Sequence, residues 1–163
     1  MIGKALRLMV VGIPNVGKSS FINRMAKTKK TKVGDKPGVT RGKQWVSIDK
    51  DVELLDMPGI LWPKFDDQLA AQRLAFTGAI KDDVMDTEAL ARALGAVLKE
   101  QYQELLNARY KLTGDEDILR DIAKSRGMLV SGGEPDTERA AAALLDEYRG
   151  GKIGRITLEK PGR

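Results

Sequence analysis

The chain has 163 residues, 42% hydrophobic and 31% charged, the balance of a globular protein with room for one domain, or a small domain and an appendage. Cysteine and histidine are both absent, which excludes disulfides, thiolate metal sites, thiol nucleophiles and any histidine base from within the chain. The net charge of +5 is unevenly spread: residues 1–50 carry twelve Lys/Arg against two Asp/Glu, residues 51–100 five against ten, and the remainder eleven of each.

Leu6 to Val11 is a mostly apolar run and reads as a buried strand. Gly12-Ile13-Pro14-Asn15-Val16-Gly17-Lys18-Ser19 follows directly and fits the pattern G-x-x-x-x-G-K-[ST]. Glycines at both ends let the backbone turn tightly around an anion, so that successive N–H groups and the positive end of the next helix face phosphate oxygens. In that reading Lys18 reaches the β and γ phosphates of a nucleotide triphosphate and Ser19 lends its hydroxyl to Mg²⁺. The alternative is a glycine-rich turn with a solvated lysine. The context of a preceding strand and a following helix, Lys18 to about Ala26 with Phe21, Ile22 and Met25 on its apolar face, favours the phosphate loop.

Lys27, Lys29, Lys30, Lys32, Lys36, Arg41 and Lys43 lie between this helix and the next strand. Such a cluster suits a nucleic-acid phosphate backbone, and equally suits a solvated loop that balances an anionic ligand. Within it, Pro37-Gly38-Val39-Thr40-Arg41 offers Thr40 to close over Mg²⁺ and the γ-phosphate; its other reading is a surface threonine in a turn. Gln44 to Ile48 and Val52 to Leu55 read as a hairpin-like pair of strands around Asp49-Lys50-Asp51. The second strand ends in Asp56-Met57-Pro58-Gly59, a D-x-x-G that brings a carboxylate to the Mg²⁺ shell and a glycine N–H to the γ-phosphate, although Asp-x-Pro-Gly is also an everyday turn. Ile60 stands where many GTPases carry a glutamine that orients water, and it cannot hydrogen-bond one; otherwise it is an apolar anchor beside Leu61 and Trp62.

After Gly59 the pattern turns helical. Asp66 to about Ala79 reads as a helix, and beyond Asp82 the apolar residues Leu90, Leu94, Val97, Leu98, Tyr102, Leu105 and Leu106 recur at helical spacing. Thr113-Gly114-Asp115-Glu116 has the form of a capping box ahead of Ile118, Leu119 and Ile122, with a stop near Gly127. Asp136 reads as the N-cap of a last helix with an Ala140, Ala141, Leu144, Leu145, Tyr148 stripe, Ser131-Gly132-Gly133 separates the last two helices, and Ile156 and Leu158 suggest a short terminal strand. These stripes read as core. The expected fold class is α/β: a partial phosphate-loop sheet over residues 1–80, then a small all-helical domain over 81–163, with the boundary near Ile80 to Asp83. The apolar runs are too short to cross a bilayer and no extended apolar segment opens the chain, so a cytoplasmic protein without membrane contact is expected.

The phosphate loop, Pro37-Gly38-Val39-Thr40, Leu55 to Phe65, Thr77-Gly78-Ala79-Ile80-Lys81-Asp82, and the stretch from Ser131-Gly132-Gly133 to Gly154-Arg155 together resemble the ribosome biogenesis GTPase A (RbgA/YlqF) family. The resemblance implies a circularly permuted GTPase that hydrolyses GTP to GDP and phosphate and assists late assembly of the large ribosomal subunit, with rRNA as a partner and a helical RNA-binding domain at the C-terminal end. It also implies that Asn15, Val16, Gly17, Lys18, Ser19, Ser20 and Gly59 contact GTP, that Ser19 and Thr40 serve Mg²⁺, and that Asn15 matches the asparagine of K⁺-stimulated members. Potassium would add positive charge beside the transferring phosphoryl group. Lys18, Thr40 and Gly59 are then the catalytic candidates, and Asp56 acts on Mg²⁺ through a bound water. In the permuted order the guanine-reading N-K-x-D motif precedes the phosphate loop, yet only eleven residues precede Gly12 here, so a piece truncated at its N-terminus is expected, with exposed apolar surface and an unpaired strand edge through which it self-associates. Two other readings are a phosphate-loop ATPase or kinase fragment, which leaves the Thr40 and Ile60 segments unexplained, and a non-enzymatic RNA-binding module resting on the basic loop and helical tail.

Overall fold

The computed structural model describes residues 5–26, 42–61, 66–80 and 85–159. They form two compact units, one from the described residues of Met1–Gln68 with Gly78–Lys81, the other from those of Leu69–Thr77 and Asp82–Arg163.

In the first unit β1 (Leu6–Val10), α1 (Lys18–Met25), β2 (Gln44–Asp49) and β3 (Val52–Asp56) follow in that order. The sheet runs β1-β3-β2. β1 lies parallel to β3, Leu6 opposite Val52 and Val10 opposite Asp56, because β2 runs antiparallel beside β3 and returns the chain to the end of the sheet where β1 starts. β2 and β3 are the expected antiparallel pair, irregular between Ser47 and Asp49. The register sorts side chains by face: Leu8, Leu54 and Val46 share one, Met9, Leu55 and Trp45 the other. α1 covers the first face, where Ile22, Ala26, Val46 and Leu54 form the core with Val10 and Ile48 against it.

Two expectations fail here. β1 is an exposed strand and not a buried one: Leu6 is 58% exposed, Met9 60% and Val11 64%. Among the described residues it pairs on one side only, and one eight-residue helix covers one face of the sheet. On α1 itself only Ile22 of the apolar trio is buried; Phe21 and Met25 are exposed. The other face of the sheet carries a polar cluster, with Arg7 ion-paired to Glu53 at 3.0 Å and its guanidinium 5.1 Å from the centre of the Trp45 ring.

The second unit contains α2 (Gln68–Phe76, from Leu69), α3 (Thr87–Gln101), α4 (Gln103–Tyr110), α5 (Ile118–Ser125) and α6 (Thr137–Arg149). Its core is the expected set of stripes, Leu90, Leu94 and Leu98 of α3, Leu119 and Ile122 of α5, Ala140, Ala141, Leu144 and Leu145 of α6. Each such leucine or isoleucine contributes about 1.5–3 kcal/mol by leaving water. Asp136 caps α6 through the Arg139 N–H, as its sequence position requires. α5 ends in a Schellman turn, Met128 N–H to Ala123 O at 2.8 Å and Gly127 N–H to Lys124 O at 3.2 Å.

The capping box expected at Thr113–Glu116 does not form. Asp117 caps α5 by accepting from the Leu119 N–H, while Thr113 N–H and Oγ1, Gly114 N–H and Asp115 N–H all donate to the buried Asp121 carboxylate. Four donors on one carboxylate outcompete a single cap contact, and they draw the loop around the helix instead of into it. Nor is there a terminal strand at Ile156 and Leu158; among the described residues no strand lies there to pair, and Thr157 is tied to the Tyr102 hydroxyl by its N–H and C=O instead. No described helix is long and apolar enough to cross a membrane.

A candidate nucleotide phosphate site

The loop between β1 and α1 departs from ordinary backbone at three places, Gly12 (φ 156), Asn15 (φ 60) and Gly17 (φ 90). Gly17 is the N-cap of α1 and offers no side chain to its first amides, and no acidic residue stands in the first turn. The positive end of the helix therefore meets the concave side of the loop without an internal counter-charge. Lys18 is half-buried, and its Nζ donates to the carbonyls of Gly12 (3.1 Å) and Ile13 (2.7 Å), which arch the loop over the ammonium. Desolvation lowers the Lys18 pKa, and the neighbouring Asp56 carboxylate works against that shift.

Asp56 stands at the end of β3, fully buried. Its Oδ2 accepts from Ser19 Oγ at 2.8 Å, and its Oδ1 has no hydrogen-bond partner among the described residues. A buried carboxylate oxygen without a donor is costly, and a cation or its water shell removes that cost. Ser19 and Asp56 fit Mg²⁺ in kind as well: hard oxygens, one hydroxyl and one carboxylate, for an ion that takes its other ligands from phosphates and water. Among the described residues no group of three or more acidic side chains forms an all-protein metal cage.

Gly59 passes directly under the loop. A Cβ on it would lie 2.5 Å from Cα and N of Pro14, so no other residue fits without moving the loop backbone. Ile60 N–H donates to Gly12 O at 3.3 Å, which joins the D-x-x-G segment to the first loop glycine. The Ile60 side chain is 70% exposed and is not the apolar anchor of the alternative reading.

Lys18, Ser19, Asp56 and Gly59 thus converge, and Asn15 lies in the same loop with its side-chain amide donating to Gly78 O at 2.7 Å. That last partner was not legible in the sequence, where Gly78 falls within the helix expected to run to about Ala79 and in the Thr77–Asp82 motif, with nothing to pair it with Asn15. Val16, Gly17 and Ser20 are exposed along the loop and the start of α1. Thr40, the rest of the basic cluster apart from Lys43, and Trp62 to Phe65 lie outside the described residues.

Comparison with known proteins identifies relatives over nearly the whole chain. Residues 7–119 match a sequence model described as 50S ribosome-binding GTPase. Ribosome biogenesis GTPase A of Bacillus cereus is 48% identical over 162 residues, 97% of this chain and 55% of that protein. Its Thermotoga maritima namesake is 35% identical over 156 residues, 95% of this chain and 56% of that protein. The crystal structure of GNP-bound YlqF from T. maritima superposes with a TM-score of 0.61 at 29% identity, over 95% of this chain and 59% of that one. The chain therefore spans about half the length of the curated relatives it matches. A family model that takes in most of the residues makes this chain a member of the 50S ribosome-binding GTPase family.

Proposed function

We propose that the chain is the phosphate-handling and C-terminal part of a GTP-hydrolysing assembly factor for the large ribosomal subunit, acting in the cytoplasm. The observation that carries the reading is the Ser19–Asp56 contact of 2.8 Å with the second Asp56 oxygen left without a donor, next to a half-buried Lys18. The backbone from Asn15 to Ser20 cradles the phosphates, and Lys18 neutralises the charge gathering on the β and γ oxygens. Ser19 and Asp56 hold Mg²⁺, Thr40 closes over it, and Asn15 serves a potassium ion. When bound there, magnesium would offset the negative charge of the phosphates. Gly59 sits close enough to the loop for its N–H to respond to a γ-phosphate, and no residue larger than glycine could do so there. Ile60, apolar and exposed, leaves the attacking water to be oriented by another group.

The ribosomal partner is inferred from what the relatives' names say of them, and the helical unit, residues 81–163 in the sequence reading, is the rRNA-facing part in this proposal. The test is competition of GTP and ATP against a fluorescent GTP analogue bound to the intact protein of which this chain is a part, with and without Mg²⁺. Preference for GTP that depends on Mg²⁺ is the expected result, and preference for ATP would turn the reading to a kinase or ATPase. Ribosome binding by a Lys18→Ala variant that ignores added nucleotide would favour a non-enzymatic RNA-binding module.

A further inference from the structure

Between the end of α3, α4 and the start of α5, the helical unit opens into a cleft of about 200 Å³. Drug-sized ligands and whole cofactors fill pockets of about 300–1,000 Å³, so this one takes a single ring system and little more. Its floor is the buried Asp121. Oδ1 of that carboxylate accepts from Thr113 N–H (2.8 Å) and Thr113 Oγ1 (2.7 Å), and Oδ2 from Gly114 N–H (2.8 Å) and Asp115 N–H (3.1 Å). Two bonds on each oxygen use up its acceptor capacity, while its charge keeps an anion off the floor. Leu112 and Ile118 supply an apolar wall. Ile118 is fixed there because it fills the space over Gly95 of α3, where a Cβ would come within 2.7 Å of Ile118 Cγ2.

Polar recognition therefore falls to the rim. Gln103 and Asn107 lie one turn apart on α4, a helix held in place by its buried Leu106 and Tyr110. Lys99, in the last turn of α3, completes the rim. All three are exposed, and among the described residues their side chains have no hydrogen-bond or ion-pair partner. A side-chain amide sets a donor beside an acceptor, the pairing that matches N7 and the N6 amino group of adenine. Sequence in RNA is read on unstacked bases, whose faces pack on protein side chains while their edges are hydrogen-bonded.

We propose that this cleft receives the base of one unpaired adenine of an RNA strand: its edge is read by the Gln103 and Asn107 amides, its face lies on Leu112 and Ile118, and the adjoining phosphate stays outside with Lys99. The choice of RNA as the source rests on the ribosomal reading above, whereas the fit to adenine rests on the cleft itself.

The experiment titrates the ¹⁵N-labelled chain with short oligoadenylate and oligouridylate RNAs and with AMP. Affinity is read by fluorescence anisotropy of labelled RNA, and the Gln103 and Asn107 side-chain NH₂ signals by NMR. Oligoadenylate is expected to bind about tenfold more tightly than oligouridylate and to shift both amide signals, with AMP a weak competitor. Gln103→Ala with Asn107→Ala, exposed helix positions that alanine suits, should abolish the preference and leave the thermal midpoint and the salt dependence as they were. Lys99→Ala should weaken both RNAs alike and lower the salt slope by about one. Equal affinity for the two RNAs in the unaltered chain, or a preference that survives the double change, overturns the inference and leaves the ribosomal reading standing. AMP bound as tightly as oligoadenylate assigns the cleft to a free nucleotide and overturns it as well. The expected preference in a chain that binds no ribosomal subunit supports the cleft and removes the ribosomal reading. Absence of any RNA binding removes both.

Discussion

Ser19, Asp56 and Lys18 form a small electrostatic circuit whose parts are separable by substitution. Lys18→Ala removes the ammonium that both carries charge and braces the Gly12 and Ile13 carbonyls, so affinity for a GTP analogue is expected to fall at least about tenfold, as measured by fluorescence titration. Asp56→Asn keeps the shape and removes the charge. Its binding should lose most of its dependence on Mg²⁺, and a titration unchanged in magnesium would remove Asp56 from the metal. Gly59→Ala tests fit instead of charge: a methyl 2.5 Å from the Pro14 backbone must push the loop away, so the variant should stay folded in its helical unit while binding is lost. Equal affinity in Gly59→Ala would mean that the loop is free to move at this point.

At the scale of elements, the helical unit is held by carboxylates whose pKa values the fold depresses. Glu147 of α6 takes a two-pronged grip from Arg109 of α4, both distances 2.8 Å, with Arg126 at 3.3 Å. The Arg109 hydrogen bonds, opposed by burial and aided by further contacts, hold its pKa down at about 2. Burial pushes the Asp121 carboxyl up, but the bonds from Thr113, Gly114 and Asp115 outweigh it and leave the pKa below its ordinary value. Both groups bind protons more weakly folded than unfolded. Their stabilisation is therefore complete above the unfolded carboxyl range near pH ~4 and is lost as pH falls through the folded values, about 2 for Glu147 and below the ordinary range for Asp121. A thermal midpoint that falls between pH 5 and 2, less steeply in Glu147→Gln, is the expected outcome of a calorimetric pH series. Asp121→Asn turns an NH₂ toward a ring of donors and should cost about 3 kcal/mol in denaturant unfolding. Arg149 of α6 performs a related task for α2, donating to the last carbonyls of that helix at Ala75 (3.0 Å) and Phe76 (3.1 Å).

For the whole molecule, the decisive feature is the exposed strand β1. Leu6, Leu8 and Met9 stand open on an edge strand, with the exposed Val11 just after it, and Met9 lies with Trp45 on the face away from α1. Open backbone groups and apolar side chains on one edge favour pairing with another chain. Light scattering is expected to show mass rising with protein concentration, and Met9→Lys, which places a charge on that face, should reduce it. A monomer at all concentrations would count against self-association through this edge.

Much of this molecule is local chemistry and was readable residue by residue. The phosphate loop, the β2–β3 hairpin, the Asp136 cap, the stop at Gly127 and the helical stripes each depend on residues a few positions apart, where φ preferences, capping donors and side-chain period act directly. The sequence by itself therefore determined most of the elements and their order, and nominated the residues proposed to hold phosphate and magnesium. Only the tertiary structure decided that β1 lies open, because a strand's burial depends on which strands and helices flank it and not on its own composition. The same holds for Asp121, whose pull on Thr113 displaced the expected cap, and for the Asn15–Gly78 bond across 63 residues. Contacts between distant segments are chosen by the packed chain as a whole, since a carbonyl or carboxylate binds whichever donor the fold brings within reach.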